Sequence, residues 1–183
     1  MVRSPDAPIF GIDVSLQKAR TAAFFSNARA FADLSGNPDA AIGAFATASR
    51  TFLNNSSALN GATAFSNRAL GWLHRPYYPD GEVGRPSGPF SRAIADFNPL
   101  STGLQSALIF PDINAHLLFV LNVNATDVPQ RCTTTPDAAP GQNRIQNGIQ
   151  IFPGAVPIYR GSQLVGGIGV SGASSEFDAE CGT

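Results

Sequence analysis

Three nitrogen-bearing side chains in this sequence of 183 residues could act as a base or a metal donor: His74, His116 and the single lysine, Lys18. His74 lies in WLHRPYYPDG, beside Arg75, Tyr77 and Tyr78. An imidazole that is mostly neutral at pH 7 therefore shares a short segment with a guanidinium and two phenol rings. The plainer alternative is a surface aromatic loop pinned by Pro76 and Pro79. His116 directly precedes LLFVLNV, an apolar run that reads as a strand, so it caps or enters that strand and has no cation nearby in sequence. Lys18 sits on a predicted helix face, where a lysine is ordinarily a solvated charge. Glu176, Asp178 and Glu180 cluster near the end. Glu176 and Glu180, four apart, could hold a hard cation on a helix, although a frayed acidic terminus is the simpler account. No Ser-His-Asp, Cys-His or metalloprotease spacing is present, so no catalytic residue and no metal site is assigned, and an independent hydrolase is not expected.

Cys132 and Cys181 are the only cysteines. Both lie in polar, turn-rich surroundings, PQRCTTTPD and DAECGT, which suit one disulfide or two unrelated surface thiols but no cysteine-only zinc site. Thiols of that kind are more comfortable oxidised, so a periplasmic or extracellular setting is expected.

The elements that must position these groups change character along the chain. Pro5 and Pro8 make MVRSPDAPIF extended. Asp13 or Ser15 can then cap a helix running to about Ala32, with Ile12, Leu16, Ala19 and Ala23 at helical spacing and Ala22 and Phe25 widening the stripe. Asn37-Pro38-Asp39 signals a second start, and DAAIGAFATASRTFL reads as a helix ending near Asn54-Asn55. From Asn54 to Thr102 the chain is rich in Asn, Ser, Gly and Pro, with SRAIADF as a short helix. Trp72, Tyr77, Tyr78 and Phe90 are too apolar for a flexible linker, so the segment reads as an ordered insertion in one domain spanning 1–183. ALIF and HLLFVLNV read as strands, the second buried on both faces or at an interface. After a Pro/Thr/Asp loop come IQIF, AVPIYR and QLVGGIGVSG, the last two paired across Arg160-Gly161-Ser162 as a hairpin. Helices first and strands later indicate α+β with an antiparallel sheet packed against helices.

Composition removes several classes. Twelve Lys and Arg against thirteen Asp and Glu give a net charge of −1, without the basic footprint of a nucleic-acid binder. Apolar residues make up 43% and charged ones only 14%, so the surface relies on Asn, Ser, Thr, Gln and Gly or is partly covered by partners. No apolar run is long enough for a membrane span, and the opening lacks the layout of a secretory signal.

The last strand alternates sharply. Leu164, Gly166, Ile168 and Val170 should face one way, and Val165, Gly167, Gly169 and Ser171 the other. Glycine weakens a strand unless something approaches its backbone, so the second face is a groove that the alanine-rich first helix should fill. Gly167-Ile168-Gly169-Val170-Ser171-Gly172 formally fits a dinucleotide fingerprint, but only eleven residues follow it, too few for the required helix and parallel strand. Nor does Ser171 have the spacing of a nucleophile elbow, so it reads as structural.

The segment GAVPIYRGSQLVGGIGVSGASSEFD resembles the closing hairpin of the GlcG/HbpS family of proteins described as haem-binding or haem-degrading. Gly154, Pro157, Gly161, Gly166, Gly169, Ser171, Gly172 and Asp178 fall on that pattern, with Ala155 departing from its second glycine. SLQKARTAAFF is similar to the family's KA-x-TA helix at Lys18, Ala19, Thr21 and Ala22. The resemblance implies a profilin-like layered fold and a family ligand contact for Lys18. The family places a helix and antiparallel strands before its Lys-bearing helix. This sequence begins almost at that helix, so MVRSPDAPIF is expected to be the tail of a strand, the strands before it to be missing, and the chain to be a portion of a larger member.

Two functions from different classes follow. One is a haem- or small-ligand-binding module without independent catalysis, haem breakdown resting on the family's description alone. The other is a structural or assembly subunit, either a homo-oligomer or joined to the remainder of a longer polypeptide. A haem site needs an axial donor, aromatic walls and cations for the propionates. His74 would then be the donor, with Arg75 near a propionate and Tyr77 or Tyr78 against the ring. Lys18 must first lose a proton to ligate iron.

Overall fold

The computed structural model describes residues 2–9, 11–37, 40–74, 84, 86–91, 114–128, 140, 149–150 and 152–172. Helix α1 (Gly11–Phe25) is followed by α2 (Ala30–Ser35), α3 (Ala40–Phe52), α4 (Asn67–Trp72), and the antiparallel strands β1 (Ala155–Arg160) and β2 (Gln163–Gly169). The class is α+β. ALIF lies outside the described residues.

The long first helix of the sequence reading is two helices. Gly11 opens α1 two residues before the expected cap, on a turn in which its N–H donates to the carbonyl of Pro8 (3.1 Å). Residues 2–9 form turns, not the tail of a strand. The break after Phe25 has a specific cause. The hydroxyl of Ser26 accepts from the N–H of Phe65 (2.9 Å) and donates to its carbonyl (3.3 Å), while Asn27 Oδ1 accepts from the N–H of Arg29 (2.9 Å). A buried tertiary partner and an Asx turn outcompete continued helix.

Helix α3 ends where the asparagines said it would. Asn54 adopts φ +47°, its N–H donates to Thr51 and that of Asn55 to Arg50, the paired bonds of a Schellman motif. The same motif overturns the strand expected at HLLFVLNV. Residues 114–120 are helical, Asn122 takes φ +58°, and the N–H groups of Asn122 and Val123 donate to Phe119 (2.9 Å) and Leu118 (2.8 Å). A short, wholly apolar run has no periodicity to separate strand from helix, and the informative residue was Asn122. Nor is this segment buried on both faces: Leu117, Val120, Leu121 and Val123 are all at least half exposed.

The core gathers Phe25, Leu34 and Ile42 from α1 to α3 with Ala58, Leu59, Phe65, Leu70, Leu73 and Phe90. The described part of the expected insertion therefore supplies much of the core. It includes α4, whose Ser66 cap accepts from the N–H of Ala69 (3.1 Å).

β1 and β2 are joined as expected through Gly161 and Ser162, with Arg160 opposite Gln163. Gly161 has φ +61°, the positive φ that a two-residue hairpin turn opening on glycine requires. One irregularity was not legible. The register shifts between Ile158 and Tyr159, so Gly166 opposes Ile158 but Leu164 opposes Tyr159. Val165 is the unpaired residue of this bulge. It is exposed and Leu164 half-buried, the reverse of simple alternation.

Candidate functional site

Gly167 and Gly169 do what the alternation predicted. β2 packs on α1 so closely that a Cβ at Gly167 would strike the carbonyl oxygen of Ala19, and one at Gly169 that of Ser15. The glycines that mimic a dinucleotide fingerprint thus belong to an antiparallel hairpin lying against helix backbone.

Beneath this hairpin lies Lys18, fully buried and among the largest such side chains of the described residues. It is not a solvated charge. Its Nζ donates to the carbonyl of Val170 (3.1 Å), whose N–H donates to the carbonyl of Gly154 (2.7 Å). Gly154 has φ +119°, and a Cβ there would meet the Val170 oxygen at 2.6 Å and Nζ at 3.3 Å. Thr21, one turn on, accepts from the N–H of Gln150 (2.8 Å) and donates to Gln17 (2.8 Å). Asn67 of α4 donates through Nδ2 to the carbonyls of Gln150 (2.7 Å) and Phe152 (3.1 Å). The KA-x-TA block therefore grips the backbone leading into and out of the hairpin. Asn67 completes that grip, and no signal in the sequence analysis marks it.

His74 follows α4 and is only 2% exposed. Its Nδ1 lies 2.8 Å from the carbonyl of Leu70, and its ring centroid 5.0 Å from that of Phe90. Burial lowers its pKa from 6.5 to about 4, against a smaller opposing effect of the Leu70 hydrogen bond. The ring is therefore neutral at pH 7. A bond to the Leu70 carbonyl makes Nδ1 the protonated nitrogen and leaves the lone pair on Nε2. Nε2 is buried and has no hydrogen-bond partner among the described residues. The aromatic partner seen is Phe90; Arg75, Tyr77 and Tyr78 lie outside the described residues.

His116, placed by sequence at a strand entrance, lies instead on the 114–120 helix with its Nδ1 2.8 Å from Asp127 Oδ1. That hydrogen bond is the main cause of the lowered Asp127 pKa. Cys132, Cys181, Glu176, Asp178 and Glu180 lie outside the described residues, and Pro157, Ser171 and Gly172 lie within the hairpin or directly after it. Among the described residues no cluster of His, Cys, Asp and Glu is arranged to hold a metal, and no helix is long and apolar enough to cross a membrane.

Residues 113–183, less than half of the chain, match the family model described as haem degrading protein HbpS-like. The match agrees with the GlcG/HbpS resemblance and covers the hairpin, while the KA-x-TA helix lies outside it. No curated protein and no solved structure matches the chain.

Proposed function

We propose that the chain is a haem- or small-ligand-binding module with no chemistry of its own, and that His74 is its donor. The likeness to HbpS-like proteins over residues 113–183 suggests a haem-related module. The observation that carries the donor assignment is the buried, unpartnered Nε2 of a neutral imidazole whose Nδ1 is fixed by a backbone carbonyl. An oriented neutral imidazole is what axial ligation of iron requires. Haem would supply the metal centre; the chain would supply the His74 donor, the Phe90 ring beside it, and Arg75, Tyr77 and Tyr78 from the following segment. The test is a haemin titration of wild type, His74→Phe and His116→Ala, followed at the Soret band. His74→Phe keeps the packing volume while removing the donor. We expect its affinity to fall by roughly tenfold or more, with His116→Ala unchanged. Superimposable spectra for wild type and His74→Phe would remove the donor, and no Soret shift in any of the three would remove haem.

A second reading, an assembly subunit, is favoured by one observation. The outer face of the hairpin leaves Val156, Ile158, Ile168 and Val170 between 43% and 57% exposed. A row of branched aliphatics in water marks a contact surface. Sedimentation should find an assembly larger than 19.1 kDa, and Ile168→Lys should shift it toward the monomer. A monodisperse monomer at high concentration would end this reading.

A further inference from the structure

A cavity of about 470 Å³ opens between α1, the turn into α2 and the start of β2. Arg20, Ala23, Phe24 and Asn27 line it from one face of α1 and beyond, at the i, i+3, i+4 and i+7 spacing. Its origin lies in the packing already described. Gly167 and Gly169 hold β2 against the backbone at Ala19 and Ser15. One turn further along α1, Ala23 offers only a methyl group, and the bulge at Val165 falls at this end of the hairpin.

The volume suits a small organic molecule. Ala23, Phe24, Leu164 and Val165 give it an apolar wall. Its charged lining is two arginines, Arg20 and Arg29, against one carboxylate, Asp33. Arg29 Nε lies 4.0 Å from Asp33 Oδ1, and Asn27 holds the Arg29 backbone. That ion pair engages Nε, and the terminal nitrogens of this largely exposed side chain have no partner among the described residues.

We propose that this groove binds a small carboxylate with an aromatic or similarly apolar body, gripped through its carboxylate by the terminal nitrogens of Arg29. A guanidinium presents paired donors to a carboxylate, and an apolar wall beside it selects for the rest of the molecule. The two arginines outweigh the single carboxylate of Asp33 and disfavour a cationic ligand. The site is separate from His74, which does not line the cavity, so the haemin titration and this proposal stand or fall independently.

The test is a titration of the ¹⁵N-labelled full chain with 1-naphthoate and with its neutral analogue 1-naphthamide. Saturable shifts should gather on the amides of Ala23, Asn27, Arg29 and Val165. The amide analogue should bind roughly tenfold more weakly, as should naphthoate to Arg29→Gln, because a charge-assisted pair is lost in each case. Ala23→Leu should abolish binding by filling the cavity while leaving the dispersed spectrum of a folded chain. Equal affinity for acid and amide, or an unchanged affinity in Arg29→Gln, would overturn the proposal. So would the absence of saturation at millimolar ligand, or shifts confined to Val156, Ile158 and Ile168.

Discussion

Gly169→Val should lower the thermal midpoint by roughly 2–12 °C, with Gly167→Val close behind, because overpacking costs roughly 1–3 kcal/mol or more and each kcal/mol shifts the midpoint of a chain of this size by about 2–4 °C. The obstruction at both positions is main-chain carbonyl oxygen, of Ser15 for Gly169 and of Ala19 for Gly167. A side chain could rotate away; a helix carbonyl cannot move without shifting α1 as a whole. Moving α1 would also disturb Lys18 and Thr21, whose bonds reach Val170 and Gln150. Gly166 is the control. A Cβ there meets nothing within 4 Å, so Gly166→Val should leave the midpoint within about 2 °C, as surface substitutions away from special features do. Differential scanning calorimetry of the three variants decides the matter. Equal midpoints for all three would show that α1 does not lie against this face of β2.

That contact was legible because glycine in a strand has one economical explanation, a close backbone neighbour, and an alanine-rich helix was the only candidate nearby. The C-terminus of α3 was legible for a similar reason, since Asn54 tolerates the left-handed conformation that ends a helix. Asn122 carries the same signal, but LLFVLNV lacks a period; the cap, not the apolar run, distinguishes helix from strand there. The break between α1 and α2 was hidden for a different reason. It depends on Ser26 reaching Phe65, thirty-nine residues away, and local propensity holds no record of such a partner. The bulge at Val165 is hidden likewise, because register is a property of two strands. At the candidate site, His74 is singled out by its neighbours in sequence, whereas its burial and its bond to Leu70 come from α4, a helix that the reading of 54–102 as an ordered insertion does not include. Lys18 is marked by family resemblance, and in the described structure it is buried and donates to the carbonyl of Val170 at the hairpin's exit.

The burial of His74 should make stability rise with pH across a defined window. Its pKa is about 4 in the folded chain against an ordinary value of 6.5, so between those values the unfolded chain binds the additional proton. The sign follows directly: stability increases with pH wherever the unfolded state holds more protons. The contribution of a neutral His74 is complete above about pH 7 and falls as the pH drops through 6.5 toward 4. Below about 4 both states are protonated and it declines no further. The span corresponds to about 3 kcal/mol. Urea midpoints of wild type and His74→Phe measured from pH 7.5 to 4 should therefore diverge below 6.5, the variant lacking this part of the decline. Parallel curves would mean that the ring reaches water and titrates normally. The same lone pair on Nε2 takes either a proton or a metal. If His74 is the donor proposed, protonation competes only near the lowered pKa, and haemin affinity should hold nearly constant from pH 7 to about 5.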